Sequence, residues 1–159
     1  MQSKDRINDF VVQIASVNGT GSSSANTLLM KAIFRMGIPV VGKNYFPSNI
    51  QGLPTWYEIR VTGEGHLARS SKVDIMVAMN AQTYAEDLVS VVTNGVLIYD
   101  SSWPRAELED RSDITVLPVP LSKMCNESFT GARARILMKN IAYVGAIAAL
   151  IEIDRDIVR

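Results

Sequence analysis

Asn18-Gly19-Thr20-Gly21-Ser22-Ser23-Ser24 joins an apolar run, Phe10 to Ala15, to an amphipathic run, Ala25 to Met36. The first run is short and rich in β-branched side chains (Val11, Val12, Ile14), which predicts a parallel strand covered on both faces. In the second, Ala25, Leu28, Leu29, Ala32, Ile33 and Met36 follow the spacing of a single helical stripe. Gly37 stands where a C-cap glycine belongs, with Pro39 just beyond. Strand, glycine-rich turn and helix in this order predict an α/β fold, a Rossmann-like three-layer domain with a mostly parallel sheet and an edge strand.

Such a turn presents backbone N–H groups at the positive end of a helix, and its glycines let a ligand approach the backbone. Gly19, Thr20, Gly21 and Ser22 are therefore the candidate anion turn. The dinucleotide fingerprint is incomplete, because Ser24 stands where its third glycine is expected, and no GK[ST] sequence marks a P-loop. By the residues alone, a helix-capping turn is the plainer alternative.

Composition narrows the function classes. The 159 residues are 47% apolar and 20% charged, the balance of one globular domain with a substantial core. Net charge is zero and the basic residues form no run, so nothing marks a nucleic-acid or membrane surface. A single cysteine, Cys125, and a single histidine, His66, rule out a disulfide framework and any multi-cysteine metal site built from this chain alone. The expectation is a reducing, cytoplasmic setting. The charged N-terminus lacks the apolar core of a secretory signal, and Ile141 to Ile151 is too short to cross a bilayer.

Pro39 to Val41 reads as a second strand, and Gly42 to Pro54 as a long loop, of the kind that is often functional or interfacial. Thr55 to Thr62 alternates polar with apolar residues, which predicts a half-exposed edge strand ended by Gly63-Glu64-Gly65. His66, with no Cys, Asp or His beside it, reads as a surface residue. Ile75 to Met79 is expected as a buried strand, Asn80 to about Val92 as a helix, Asn94-Gly95 as a turn, and Val96 to Asp100 as the next strand. Ser101 and Ser102 then read as loop, and Ile114 to Pro120 as a last strand at a sheet edge, extended by its prolines. Arg133 to Leu150 is a long helix whose second half carries no charge, so a protein partner is expected on it; without one, such a helix can pair with itself. A further helix starts near Ile153 and stops, as in a segment cut from a longer chain.

Three segments together resemble the γ subunit or γ domain of the 2-oxoacid:ferredoxin oxidoreductases: Asn18 to Ser22; Gly42 to Pro54 with Thr55 to Val61; and Asn140 to Ala146. The resemblance covers nearly the whole chain and is closest to an N-terminal γ domain fused to an α subunit, of the 2-oxoglutarate type. It implies an enzyme that oxidatively decarboxylates a 2-oxoacid to acyl-CoA and reduces ferredoxin, using thiamine diphosphate, Mg and [4Fe-4S] clusters, with coenzyme A as co-substrate. None of those cofactors is expected on this chain alone, which would be inactive in isolation. Its implied partners are the α and β parts of the enzyme, with ferredoxin for the whole complex. The anion turn would contact CoA, and Asn49, Ile50, Gln51 and Gly52 would form the interface. Gln51 stands where many γ subunits carry arginine, which removes a charge that could meet a phosphate. A free-standing Rossmann-type nucleotide- or phosphate-binding protein is the alternative class, and a scaffold without ligand the third.

Overall fold

The computed structural model describes residues 8–46, 53–66, 68, 70–103, 105 and 111–158. The candidate interface residues Asn49, Ile50, Gln51 and Gly52 lie outside the described residues. Among those described, six strands form one sheet in the order β2-β3-β1-β4-β5-β6. They are β1 (Asp9–Val17), β2 (Val40–Tyr45), β3 (Pro54–Thr62), β4 (Val73–Ala78), β5 (Val91–Asp100) and β6 (Thr115–Val119). β1, β4, β5 and β6 are parallel neighbours, while β3 pairs antiparallel with β1 and with β2.

The period of two along β1 divides the core. Val12 and Ile14 turn to the face covered by α1 (Ser22–Arg35) and α4 (Ala132–Leu150), in one cluster with Leu29, Ile33, Ile59, Tyr143 and Ile147. Ala15 turns to the other face, where Met76, Tyr84, Leu88 and Leu97 pack beneath α2 (Tyr84–Ser90). These are the three layers expected of a Rossmann-like domain. β6, with Pro118 in its register, lies at the sheet edge as its prolines predict. α3 (Leu121–Ser128), which the sequence reading did not foresee, packs on α4, and α5 (Arg155–Val158) on α1.

Several expectations are corrected. The strand from Thr55 is not at an edge: β3 lies inside the sheet, and its polar residues Thr55, Glu58 and Thr62 are buried. The edge beyond it belongs to β2, which runs on to Tyr45 through residues expected as loop, because Lys43, Asn44 and Tyr45 find backbone partners opposite Glu58, Tyr57 and Trp56. Gly42 admits this pairing, since a Cβ there would collide with the Tyr57 hydroxyl and lie 2.7 Å from Met30 Sδ. Asn94-Gly95 does not precede β5 but bulges within it: Val73 faces Val91, Ile75 faces Val96, and Asn94 takes φ 64°. The preceding helix is correspondingly shorter than expected, from Tyr84 to Ser90, and Asn80 to Thr83 form turns before it.

The long helix α4 buries only one face, through Asn140, Tyr143, Val144, Ile147 and Ala148. Ile136, Leu137, Ile141 and Leu150 are exposed. Among the described residues no helix is long and apolar enough to cross a membrane.

Candidate functional site

The glycine turn lies at the carboxyl end of β1, where open α/β sheets bind ligands, and beside the place where the crossover helices change face, α1 following β1 and α2 following β4. Two left-handed glycines shape it, Gly19 at φ 86° and Gly21 at φ 82°. The Thr20 hydroxyl donates to the Val17 carbonyl (2.7 Å), and the Asn18 N–H to the Leu53 carbonyl (3.0 Å), so the turn is tied to the residue before β3.

α4 holds the turn from above. Asn140 Nδ2 donates to the Thr20 carbonyl at 2.9 Å, and a Cβ on Gly21 would meet Leu137 Cδ2 at 2.5 Å. One turn of helix further on, the buried Tyr143 hydroxyl donates to Asn26 Oδ1 of α1 at 2.7 Å. These contacts leave the front of α1 open: Ser23 and Ser24 are exposed, no side-chain oxygen caps the helix, and no acidic residue occupies its first turn. Ser22 is buried and accepts a hydrogen bond from Ser16 Oγ (3.0 Å). The turn is a structural joint, and the helix that follows it starts without a side-chain cap.

Ser101 and Ser102, expected as loop, form a turn that works on α3. Ser102 Oγ accepts the Lys123 N–H (2.9 Å), and Asp100 accepts the Ser122 N–H (3.2 Å) together with a very short bond from the Ser122 hydroxyl. Burial pushes the Asp100 carboxyl up, but the hydrogen bonds from Ser122 and Ser102 outweigh it and hold the acid below its ordinary range. Asp100 and Ser102 therefore cap a helix that begins twenty residues downstream, which no local spacing reveals.

The opposite face holds a second polar cavity, of about 230 Å³, lined by Gln13, Trp56, Glu58, Glu86 and Asp87 among others. Asp87 is 1% exposed and accepts from Trp56 Nε1 (2.8 Å) and the Thr83 hydroxyl (2.7 Å). Burial raises its pKa from 3.8 to about 6 despite those two donors. In the sequence Asp87 reads only as an acid favouring a helix start. His66 is a surface residue as expected, paired with Glu64 at 2.7 Å. Cys125 is buried, and that burial pushes its thiol up, away from reactivity.

A family model described as pyruvate ferredoxin/flavodoxin oxidoreductase matches residues 11–159. The α subunit of 2-oxoacid:ferredoxin oxidoreductase 2 from Aeropyrum pernix is 32% identical over 94 residues, 58% of this chain and 14% of that subunit. The α subunit of 2-oxoacid:ferredoxin oxidoreductase 1 from Sulfurisphaera tokodaii is 25% identical over 89 residues, 56% of this chain and 14% of that one. The chain thus spans a small part of the curated relatives it matches. Among solved structures, the 2-oxoglutarate:ferredoxin oxidoreductase from Magnetococcus marinus, with 2-oxoglutarate, coenzyme A and succinyl-CoA bound, superposes with TM-score 0.81 at 22% identity, over 96% of this chain and 26% of that one. The γ subunit of a keto/oxoacid ferredoxin oxidoreductase from Geobacter sulfurreducens superposes with TM-score 0.72 at 15% identity, over 94% of this chain and 82% of that one.

Proposed function

Because this chain belongs to the pyruvate ferredoxin/flavodoxin oxidoreductase family, we propose that it is the γ domain of a 2-oxoacid:ferredoxin oxidoreductase, joined N-terminally to an α subunit in a longer cytoplasmic chain and serving an enzyme for 2-oxoglutarate. The observation that carries this reading is the family match over residues 11–159, together with relatives that are α subunits far longer than this chain. The whole enzyme would decarboxylate the 2-oxoacid, pass an electron pair through its clusters to ferredoxin and release the acyl group on coenzyme A. The substrate assignment is supported by the resemblance and by the fold shared with the Magnetococcus marinus enzyme.

The thiamine diphosphate, Mg and [4Fe-4S] clusters belong, in this reading, to the other parts of the enzyme. A cluster needs about four thiolates, and the chain has one buried cysteine. Among the described residues no three His, Cys, Asp or Glu side chains converge as a metal site. In this reading the domain takes no catalytic step, and alone it would be inactive. Its part is to pack against the α and β parts, through Asn49, Ile50, Gln51 and Gly52 and through the exposed side of α4, and to offer CoA an anion site at Gly19, Thr20, Gly21 and Ser22. The uncapped start of α1 supports that site.

The test is made on the whole enzyme, captured through this domain and assayed by benzyl-viologen reduction over several 2-oxoacids. Capture with thiamine- and cluster-bearing polypeptides, and CoA-dependent reduction fastest with 2-oxoglutarate, is the expected result; capture alone and inactive would replace the reading with the free-standing binder. Ser23→Glu then examines the turn. An acid in the first turn favours the helix itself, so a raised KM for CoA with unchanged assembly would mark lost anion binding rather than a damaged fold. An unchanged KM would leave the turn purely structural.

A further inference from the structure

The carboxyl edge of the sheet holds a second concave feature, distinct from the glycine turn. A cavity of about 140 Å³ opens beyond the ends of β4 and β5, lined by Tyr84, Tyr99, Asp100, Arg105 and Lys139 among others. Drug-sized ligands occupy roughly 300 Å³ or more, so this volume suits one small group and not a whole nucleotide.

Its charges are unbalanced. Arg105 lies over the Tyr84 ring, its guanidinium carbon 4.9 Å from the centroid, and Tyr84 stands edge-on to Tyr99 at 6.5 Å. Lys139 Nζ reaches a neutral partner, Ser122 Oγ, at 3.5 Å. Among the described residues neither cation has a carboxylate within ion-pair distance. Asp100 supplies the one acid in the lining, and both its oxygens are turned to Ser122 and Ser102. Two half-buried cations and one carboxylate line the hollow, so an entering oxyanion meets a net positive charge in a medium that screens less than water. Stacking on Tyr84 holds the Arg105 guanidinium at the cavity wall, and a guanidinium can pair with a planar or tetrahedral oxyanion through two N–H groups at once. Lys139 is held on α4 beside Asn140, the residue that clamps the glycine turn.

We propose that this cavity is an oxyanion site in which Arg105 and Lys139 together bind a phosphate group, separately from the glycine turn. The site stands whether or not the enzyme reading above is correct, because the probe is inorganic phosphate and the readout is binding.

The experiment titrates the isotope-labelled chain with inorganic phosphate, and separately with acetate, against sodium chloride at matched ionic strength, following backbone amide resonances. Saturable phosphate-induced shifts are expected at Met79, Ser101, Ser102, Ser122 and Lys123, with Gly19 to Ser24 unmoved. Acetate, with a single charge, should bind more weakly; tighter acetate binding would reassign the site to carboxylates and overturn the phosphate assignment. Arg105→Gln and Lys139→Gln should each weaken phosphate binding roughly ten-fold, the scale of one lost charge-assisted hydrogen bond, whereas Arg105→Lys and Lys139→Arg should retain it. Shifts confined to Gly19 to Ser24, non-saturating shifts spread over the surface, or binding unchanged in both glutamine variants would overturn the proposal.

Discussion

Asp87→Asn should stabilise this protein at neutral pH, and the gain should disappear in acid. The buried carboxyl has a folded-state pKa of about 6 against 3.8 ordinarily, chiefly because burial disfavours its charge, with Glu86 adding to the rise and the Trp56 and Thr83 hydrogen bonds opposing it. Below pH 3.8 the acid is protonated whether the chain is folded or not, and burial carries no ionic penalty. As pH rises the unfolded chain loses its proton first, so stability falls until the folded acid ionises near 6, and above that the whole penalty is in place. A displacement of about two pH units corresponds to ~3 kcal/mol. Asparagine removes the charge while keeping an oxygen for Trp56 Nε1, and the Thr83 hydroxyl, which lies 3.4 Å from the Asn80 carbonyl, can turn its proton there and accept from the new amide. Urea unfolding followed by tryptophan fluorescence, from pH 4 to 8, should show the variant ahead by roughly 1–3 kcal/mol at pH 7 and level with the parent near pH 4. A variant less stable at pH 7, or a gap constant across that range, would refute the electrostatic account of this site.

Gly42→Ala should cost about 1–3 kcal/mol through overpacking, since the added methyl runs into Tyr57 and Met30; Gly42→Ala with Tyr57→Phe should recover part of the loss, measured as Tm in a double-mutant cycle. Tyr143→Phe leaves Asn26 Oδ1 buried without its donor and should lower stability by roughly 1–3 kcal/mol, with α1 and α4 exchanging their amide protons faster. Arg111→Met removes donors to the Leu88 and Val91 carbonyls at 2.8 and 3.2 Å, and should raise amide exchange first at the α2–β5 junction while leaving the α1–α4 side unchanged.

The corrections follow from what a one-dimensional pattern omits. Thr55 to Thr62 alternates as an exposed strand does, yet Thr55, Glu58 and Thr62 are buried because β3 lies between β2 and β1; Glu58 shares a cavity lining with Gln13 and Asp87, and the Thr55 hydroxyl donates to the Tyr45 carbonyl at 3.2 Å. Lys43 and Asn44 carry no strand signal of their own and pair only because β3 is already beside them. The carboxyl-edge cavity was invisible for the same reason: Arg105 and Lys139 stand thirty-four residues apart and converge only through the packing of α4.

What the sequence alone determined is local. Glycine at two left-handed positions, a β-branched run before them and an apolar stripe after them specify strand, turn and helix by backbone sterics and periodicity, and the resemblance carried by three segments pointed to the family that the chain proved to match. Tertiary structure alone decided that β3 lies inside the sheet, which acid is buried and which cations share a hollow. Those outcomes depend on contacts between residues far apart in the chain, where desolvation and packing override local pattern.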